Sequence, residues 1–243
     1  MALGATSFET IKQLMTAITS RPFQIVAVGY PDMLMSRAQV QELFGNDIAA
    51  AVQERADSQN IIKWHGLEGQ LDRIIETEHF ISLIGGQITF LDINKVRGNE
   101  IIQDLNKPLD TALAGKFDIV YDGGTLEHCF NIGQVMQNFL SLAKVGGFIY
   151  HNNPFNVPNH GFYNFNPTFY HDFYVDNGHT LVTDIVAYHG GPFDRKFVKL
   201  PATTRFKEAL PESWISCVGR RMHDRAAEWP MQTKYKLNPH LSG

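Results

Sequence analysis

Apolar residues along this chain follow two spacings. Short, nearly continuous runs stand at 23–28, 88–93, 101–102, 117–121, 148–150, 181–188 and 214–218. Between them apolar positions recur every three or four residues. The first pattern suits strands buried on both faces, and the second suits helices that cover them. Residues 7–19 place Ile11, Leu14, Met15 and Ile18 on one face, behind a capping-box-like Ser7-Phe8-Glu9-Thr10. Residues 37–45 are helical up to Gly45-Asn46, and most of 47–86 keeps a helical period until Gly85-Gly86. Val135, Met136, Phe139, Leu140 and Leu142 mark a further helix that stops at Val145-Gly146-Gly147. A last one opens at Asn166-Pro167 and ends near Asn177-Gly178. Strands alternating with helices predict an α/β fold with a largely parallel sheet.

Two stretches escape both periods. Residues 153–165, NPFNVPNHGFYNF, are rich in Pro, Asn and aromatics and read as a loop long enough to be a lid or binding loop. Residues 189–211 form a second irregular excursion. With no internal repeat, one domain over 1–243 is the simplest organisation. Residues 1–22 form its N-terminal helix. Residues 222–243 form a tail that packs on the domain or on a second copy in a homodimer.

Composition narrows the partners. The 243 residues carry a net charge of −4, and 44% are hydrophobic. That balance offers no broad cationic surface for nucleic acid. No run approaches the roughly 20 apolar residues that span a bilayer, so no membrane partner is expected. Two cysteines, Cys129 and Cys217, make neither a disulfide framework nor a zinc motif, and the protein is read as cytoplasmic.

The centre of the chain is 117–154, FDIVYDGGTLEHCFNIGQVMQNFLSLAKVGGFIYHNNP, which reads as strand, crossover helix, strand. Open α/β sheets place ligands at the carboxyl ends of such strands. Asp92, Asp104 and Asp122 stand at the expected carboxyl ends of three strands. One aspartate alone is as readily an N-cap or turn residue. Three in register favour a ligand. An acid after the second strand suits a ribose diol. An acid after the third suits an exocyclic amine, with the Leu105 N–H offered to a ring nitrogen.

FDIVYDGGTLEHCFN, then a helix and KVGGF, resembles the class I S-adenosylmethionine-dependent methyltransferases over about residues 23–188. NHGFYNFNPTFYHDFY is similar to the segment after strand five in a bacterial subset of that family. The resemblance implies a Rossmann-like, seven-stranded, mostly parallel sheet with helices on both faces and an antiparallel strand seven. It implies S-adenosylmethionine as cofactor, ribose binding by Asp92 and adenine binding around Asp104 and Leu105. Asp122-Gly123-Gly124 becomes the corner where methyl group and acceptor meet, with Asp122 and Gly123 on the cofactor. One stretch departs from the pattern. The family's first strand ends in a loop with three glycines, whereas Gly29-Tyr30-Pro31-Asp32 has one, with added bulk and a lost donor. Either this loop takes another path and sets Asp32 on the cofactor's amino group, or binding is weakened. A dinucleotide oxidoreductase needs such a loop still more.

Methyl transfer to a hydroxyl or amine asks for a base near neutrality. Histidine is the natural choice, and His160 and His151 are the candidates. His128 supports the strand-four corner, and His171 sits beside Asp172 on a helix. Glu127, His128, Asn152, Asn153 and Tyr163 are expected to meet the acceptor. A site without metal ranks above one made from His151, His160, His171 and Asp172, whose spacing matches no metal motif. The expected reaction is methyl transfer to a small polar molecule, with oxygen preferred over nitrogen and a sugar or glycan hydroxyl as one acceptor. The competing reading is a protein that kept the fold and binds a nucleoside as regulator or scaffold.

Overall fold

A computed structural model describes residues 2–191, 193–208 and 210–237. In chain order the elements are β1 (Ala2–Gly4), α1 (Ala5–Met15), β2 (Phe23–Val28), β3 (Asp32–Leu34), α2 (Arg37–Phe44), α3 (Asn46–Ala51), α4 (Ser58–Trp64), α5 (Thr77–Leu83), β4 (Gly86–Asp92), β5 (Ile101–Ile102) and β6 (Phe117–Asp122). They continue with α6 (Ile132–Leu142), β7 (Ala143–Asn156), α7 (Pro167–Asp176), β8 (Thr180–Leu181), β9 (Val186–His189), β10 (Lys196–Lys199), β11 (Ser213–Arg220) and α8 (Thr233–Lys236).

The main sheet runs β10-β9-β11-β7-β6-β2-β4-β5, with β8 pairing β11. β2 pairs in parallel with β4 on one side and β6 on the other. The chain therefore builds β4 and β5 outward in one direction, then returns to build β6 and β7 in the other. That reversal leaves a crevice beyond the carboxyl ends of β2, β4 and β6, the usual ligand position of an open α/β sheet. β11 runs antiparallel between β7 and β9. The fold is Rossmann-like, mostly parallel in its centre, with one inserted antiparallel strand. Its strand count exceeds the expected seven, because the predicted sixth strand is split into β8 and β9 and because β10 adds a hairpin edge on β9. The split has a local cause: the Thr183 hydroxyl accepts from Val218 N–H at 2.9 Å, replacing a ladder bond with a side-chain one.

Alternation along the strands decides which helix covers which face. Val26, Val28 and Val120 point into the core under α6 and α7, with Val135, Met136, Phe139 and Tyr174. Ile25, Ala27, Ile119 and Tyr121 point to the other face, against Phe8, Ile11 and Phe80 of α1 and α5. β2 and β6 are apolar on both sides because both sides are covered. At Gly86 a side chain is forbidden: a Cβ there would lie 2.5 Å from the Phe23 ring.

Three boundaries differ from the sequence reading. Gly4 caps α1, with no side-chain bond, and the capping box is at Ser36 and Gln39 of α2. β7 continues through Asn153-Pro154 to Asn156 because β11 pairs with it there, so the irregular loop is shorter than predicted. Residues 52–76 are loop and one short helix over a separate small core of Leu34, Ile61, Ile62, Leu67, Leu71 and Ile74. The tail's described part packs on α6 and α7: Asp172 of α7 accepts from Thr233 N–H at 3.0 Å, and the Trp229 ring lies against Gly133 of α6. Residues 238–243 of the tail lie outside the described residues. Among the described residues no helix is long and apolar enough to cross a membrane.

Candidate active site

The crevice at the reversal point is a cavity of about 380 Å³, within the range of small-molecule and cofactor sites. Gly29 and Tyr30 line it from beyond β2, Asp92 from the end of β4, Asp104 and Leu105 from beyond β5, and His128 from beyond β6. Gly29 takes φ +95°, a conformation open to glycine, and its N–H donates to the Leu91 carbonyl. Asp92 stands half-buried and accepts from Asn94 N–H at 3.2 Å. Asp104 accepts from the backbone and side chain of Asn106 at 3.0 and 3.1 Å and pairs with Lys107 at 3.3 Å. The Asn106 bonds and the Lys107 charge hold its carboxyl below the usual range. Leu105 is buried, its carbonyl held by Asn138 at 2.9 Å.

The first-strand loop does take another path. After Pro31 the chain enters β3, which pairs in parallel with β1. Asp32 is buried there and faces Arg55 at 3.0 Å, His65 at 3.1 Å and Arg97 at 3.4 Å. Its carboxylate is committed to those three side chains and does not line the crevice, so the placement expected for it on the cofactor is corrected. The crevice wall at this corner is the Tyr30 ring. It packs on Phe90 at 4.4 Å between centroids, with the Arg97 guanidinium 3.8 Å above it. The Tyr30 hydroxyl donates to Glu76. Burial and the Glu76 charge raise its pKa.

Beside the crevice lies a buried polar network. Asp122 accepts from Thr125 N–H and Leu126 N–H at 3.1 and 3.2 Å with one oxygen. Its other oxygen meets His151 Nδ1 at 3.1 Å. A carboxylate there requires the His151 proton on Nδ1, leaving Nε2 to accept from the Tyr174 hydroxyl at 2.7 Å. His151 and Asp122 are fully buried. Two expectations are thereby corrected. His151 has both ring nitrogens engaged out of solvent reach and is no base for an acceptor. Asp122 organises the corner from behind, and of the expected Asp122-Gly123-Gly124 only Gly124 lines the crevice, together with Thr125. A Cβ on Gly123 would lie 2.5 Å from the Tyr121 ring, so that glycine serves packing.

Asn152 and Asn153 part company because successive strand residues face opposite sides. Asn152 accepts from the Tyr188 hydroxyl at 2.6 Å on the far face, away from the crevice. Asn153 donates to Glu127 at 3.0 Å and accepts from the Tyr170 hydroxyl at 2.6 Å. Tyr163 donates to the Phe130 carbonyl at 2.9 Å and faces a separate cavity shared with Trp229. Neither Asn152 nor Tyr163 belongs to the crevice.

The remaining expected residues do meet. Glu127 is fully buried, and its Oε1 lies 3.6 Å from His160 Nε2 and 3.9 Å from His128 Nε2. Burial, reinforced by Asp122, pushes the Glu127 carboxyl up to about 7. Burial also lowers the pKa of His128, with His160 adding to it, and that of His160. The loop that carries His160 is tied to this place: Phe162 N–H donates to the Glu127 carbonyl at 2.8 Å. The His160 ring meets Trp214 edge-on at 5.0 Å. The group His151, His160, His171 and Asp172 does not assemble; His171 pairs with Asp172 at 2.8 Å on α7.

Tyr170, Tyr174 and Trp214 support the site; Tyr174 and Trp214 are not among the candidates read from the sequence. The two tyrosines stand four apart on α7, hence on one face of it. That spacing is visible in the sequence, but only the fold shows which side chains they reach.

No protein-family model matches the chain, and no curated protein matches it. Similarity is found among solved structures. The 1,6-didemethyltoxoflavin-N1-methyltransferase of Burkholderia thailandensis, bound to 1,6-didemethyltoxoflavin and S-adenosylhomocysteine, aligns at 12% identity with a TM-score of 0.44, over 88% of this chain and 76% of that one. A variant of the 16S rRNA adenine N(1)-methyltransferase of Catenulisporales acidiphilia aligns at 9% identity and 0.41, over 88% and 94%. A chain from the complex of the Haloferax volcanii Trm112 methyltransferase activator with its methyltransferase partner aligns at 14% and 0.41, over 89% and 90%.

Proposed function

We propose that the protein transfers a methyl group from S-adenosylmethionine to a small polar acceptor. The observation that carries this reading is the crevice at the reversal point, with Asp92 and Asp104 at the ends of adjacent strands and a corner rich in small residues beside them. Asp92 would accept hydrogen bonds from both hydroxyls of a ribose. Asp104 and the Leu105 backbone suit the edge of an adenine ring. Tyr30 supplies an apolar wall of the same cavity. The donor set and the volume fit a nucleoside-bearing cofactor.

S-adenosylmethionine supplies the electrophilic sulfonium methyl. The chain's task is to hold the acceptor about 3–3.5 Å from that carbon and in line with the C–S bond. Gly124 and Thr125 form the floor next to that position, because Gly124 adopts φ +104° and leaves it open. His128 and His160, with Glu127 behind them, form the rim and handle the acceptor's proton. The acceptor is an oxygen nucleophile by preference, and a sugar or glycan hydroxyl suits a rim of imidazoles and amides. A net charge of −4 speaks against a nucleic-acid acceptor.

A second reading draws on Tyr30, whose ring fills space that a glycine loop would leave to the cofactor's amino-acid end. Such a protein would bind a nucleoside ligand without turning over. Calorimetry with S-adenosylhomocysteine, followed by mass-spectrometric assay of hydroxyl and amine acceptors with S-adenosylmethionine, separates the two. Binding with methylated product is the expected result. Binding without product over the panel favours the second reading, and no binding at millimolar ligand ends both.

A further inference from the structure

Glu127 poses a problem that methyl transfer alone does not solve. The residue is fully buried, yet its Oε1 has no hydrogen-bond partner among the described residues. A buried carboxylate oxygen without a donor is costly. The surroundings aim that oxygen rather than satisfy it. Asn153 holds the other oxygen at 3.0 Å, and the Tyr170 hydroxyl fixes Asn153 at 2.6 Å. Two half-exposed imidazoles stand opposite, with all three candidate ligand atoms within 4.8 Å of one another.

From this geometry we infer that Glu127, His128 and His160 form a binding site for a divalent transition-metal cation at the rim of the crevice. The inference rests on the methyl-transfer reading only for its use, not for its existence. Ligands about 2.1 Å from an ion stand roughly 3–3.5 Å from one another. The two Glu127–His separations, 3.6 and 3.9 Å, exceed that by a few tenths of an ångström, within the reach of a side-chain rotation. Two imidazoles and a carboxylate are a borderline donor set, favouring zinc, iron, cobalt or nickel over magnesium or calcium. Three protein ligands leave open positions, as at catalytic rather than structural sites. The Asn153–Tyr170 pair is the outer support that orients a ligating carboxylate.

The backbone is shaped for the same purpose. A Cβ on Gly161 would lie 2.7 Å from the Glu127 carbonyl oxygen, so glycine lets the His160 loop close down on Glu127. A Cβ on Gly124 would lie 3.2 Å from Glu127 Oε1. His128 lines the crevice directly, so an ion here borders the place assigned to the acceptor. With both imidazoles engaged on the ion, they no longer take the acceptor's proton, and an acceptor hydroxyl bound to the ion gives it up to solvent water instead, more readily than a free one. Its oxygen then bonds to the sulfonium methyl carbon as the carbon–sulfur bond breaks, leaving a methyl ether and the neutral thioether. The site thus selects acceptors with a coordinating oxygen.

The test is to titrate the metal-stripped full chain with Co²⁺, followed by its visible absorption, and with Zn²⁺ by calorimetry. One equivalent is expected to bind, with tetrahedral or five-coordinate cobalt bands. His160→Ala and Glu127→Gln should each weaken affinity at least tenfold. His223→Ala should not, although it removes half of a second close histidine pair, His179–His223, at 4.3 Å between centroids. His160 stands on the surface loop, so its variant keeps the test open if Glu127→Gln fails to fold. Absence of a tight equivalent at 100 µM metal (about tenfold over the protein), or undiminished binding by His160→Ala, overturns the inference. S-adenosylhomocysteine is titrated in parallel without metal. Nucleoside binding without metal binding removes this site alone, and the converse removes the proposed function alone.

Discussion

Asp122 sits where no water reaches, and every lone pair it uses is matched: two backbone N–H groups on one oxygen, His151 on the other. Removing the carboxylate strands the imidazole and two amides in the core. Asp122→Ala should cost about 3 kcal/mol or more, read as a shift in the urea midpoint; a midpoint within error of wild type would mean that the network is solvated after all. Asp92 carries the opposite expectation, since it is half-exposed and makes one weak local bond. Asp92→Ala should lower S-adenosylhomocysteine affinity at least tenfold in calorimetry and leave the urea midpoint unchanged. Equal affinity would withdraw the ribose role. A third residue governs the acid side of the stability profile. His179 is buried, and burial, with the neighbouring His223, Arg221 and Arg225, brings its pKa down to about 4. The folded value lies below the unfolded one of about 6.5, so this histidine's contribution is whole above pH 6.5 and is lost as pH falls toward 4. Wild type should lose on the order of 2 kcal/mol more than His179→Gln between pH 7 and pH 4.5. Parallel stability curves for the two proteins would contradict it.

At the scale of elements, the site depends on close approaches that only glycine permits. The His160 loop lies on Glu127 because Gly161 has no side chain. Gly161→Ala should push the loop outward and destabilise it by about 1–2 kcal/mol. The sensitive reading is hydrogen exchange at the Phe162 amide, which donates to the Glu127 carbonyl; unchanged protection would show that the loop is held elsewhere. β11 offers the larger effect. A Cβ on Gly219 would fall 2.1 Å from the Tyr174 ring, which is packed against the sheet and bonded to His151. Gly219→Ala should therefore disturb α7 and the buried network together. Much of this level was legible in sequence. The runs at 23–28 and 117–121 became β2 and β6 because strands buried on both faces need no alternation. The end of β7 was not. Asn153-Pro154 looks like a break, but a proline without a donor is tolerated where the partner strand shifts register, as β11 does between Ser213 and Trp214.

For the whole molecule, the order of strands turns separate corners into one site. The reversal at β2 sets Gly29, Asp92, Asp104 and His128 around one cavity although they span a hundred residues of chain. A ligand that fills it should raise the melting temperature with concentration, and Asp92→Ala should blunt that rise. The sequence by itself determined the alternation of strand and helix, the strand ends that carry Asp92 and Asp104, and the corner that carries Glu127 and His128. These are properties of local spacing, set by which residues prefer buried strands, helices and turns. Only the tertiary structure decided the rest. It turned His151 inward to Asp122 and Tyr174, gave Asn152 and Asn153 to opposite faces, committed Asp32 to Arg55, His65 and Arg97, and brought His160 across to Glu127. The physical reason is the same each time. The partner of a buried polar group is chosen by the element packed against it, and that element lies far away in the sequence.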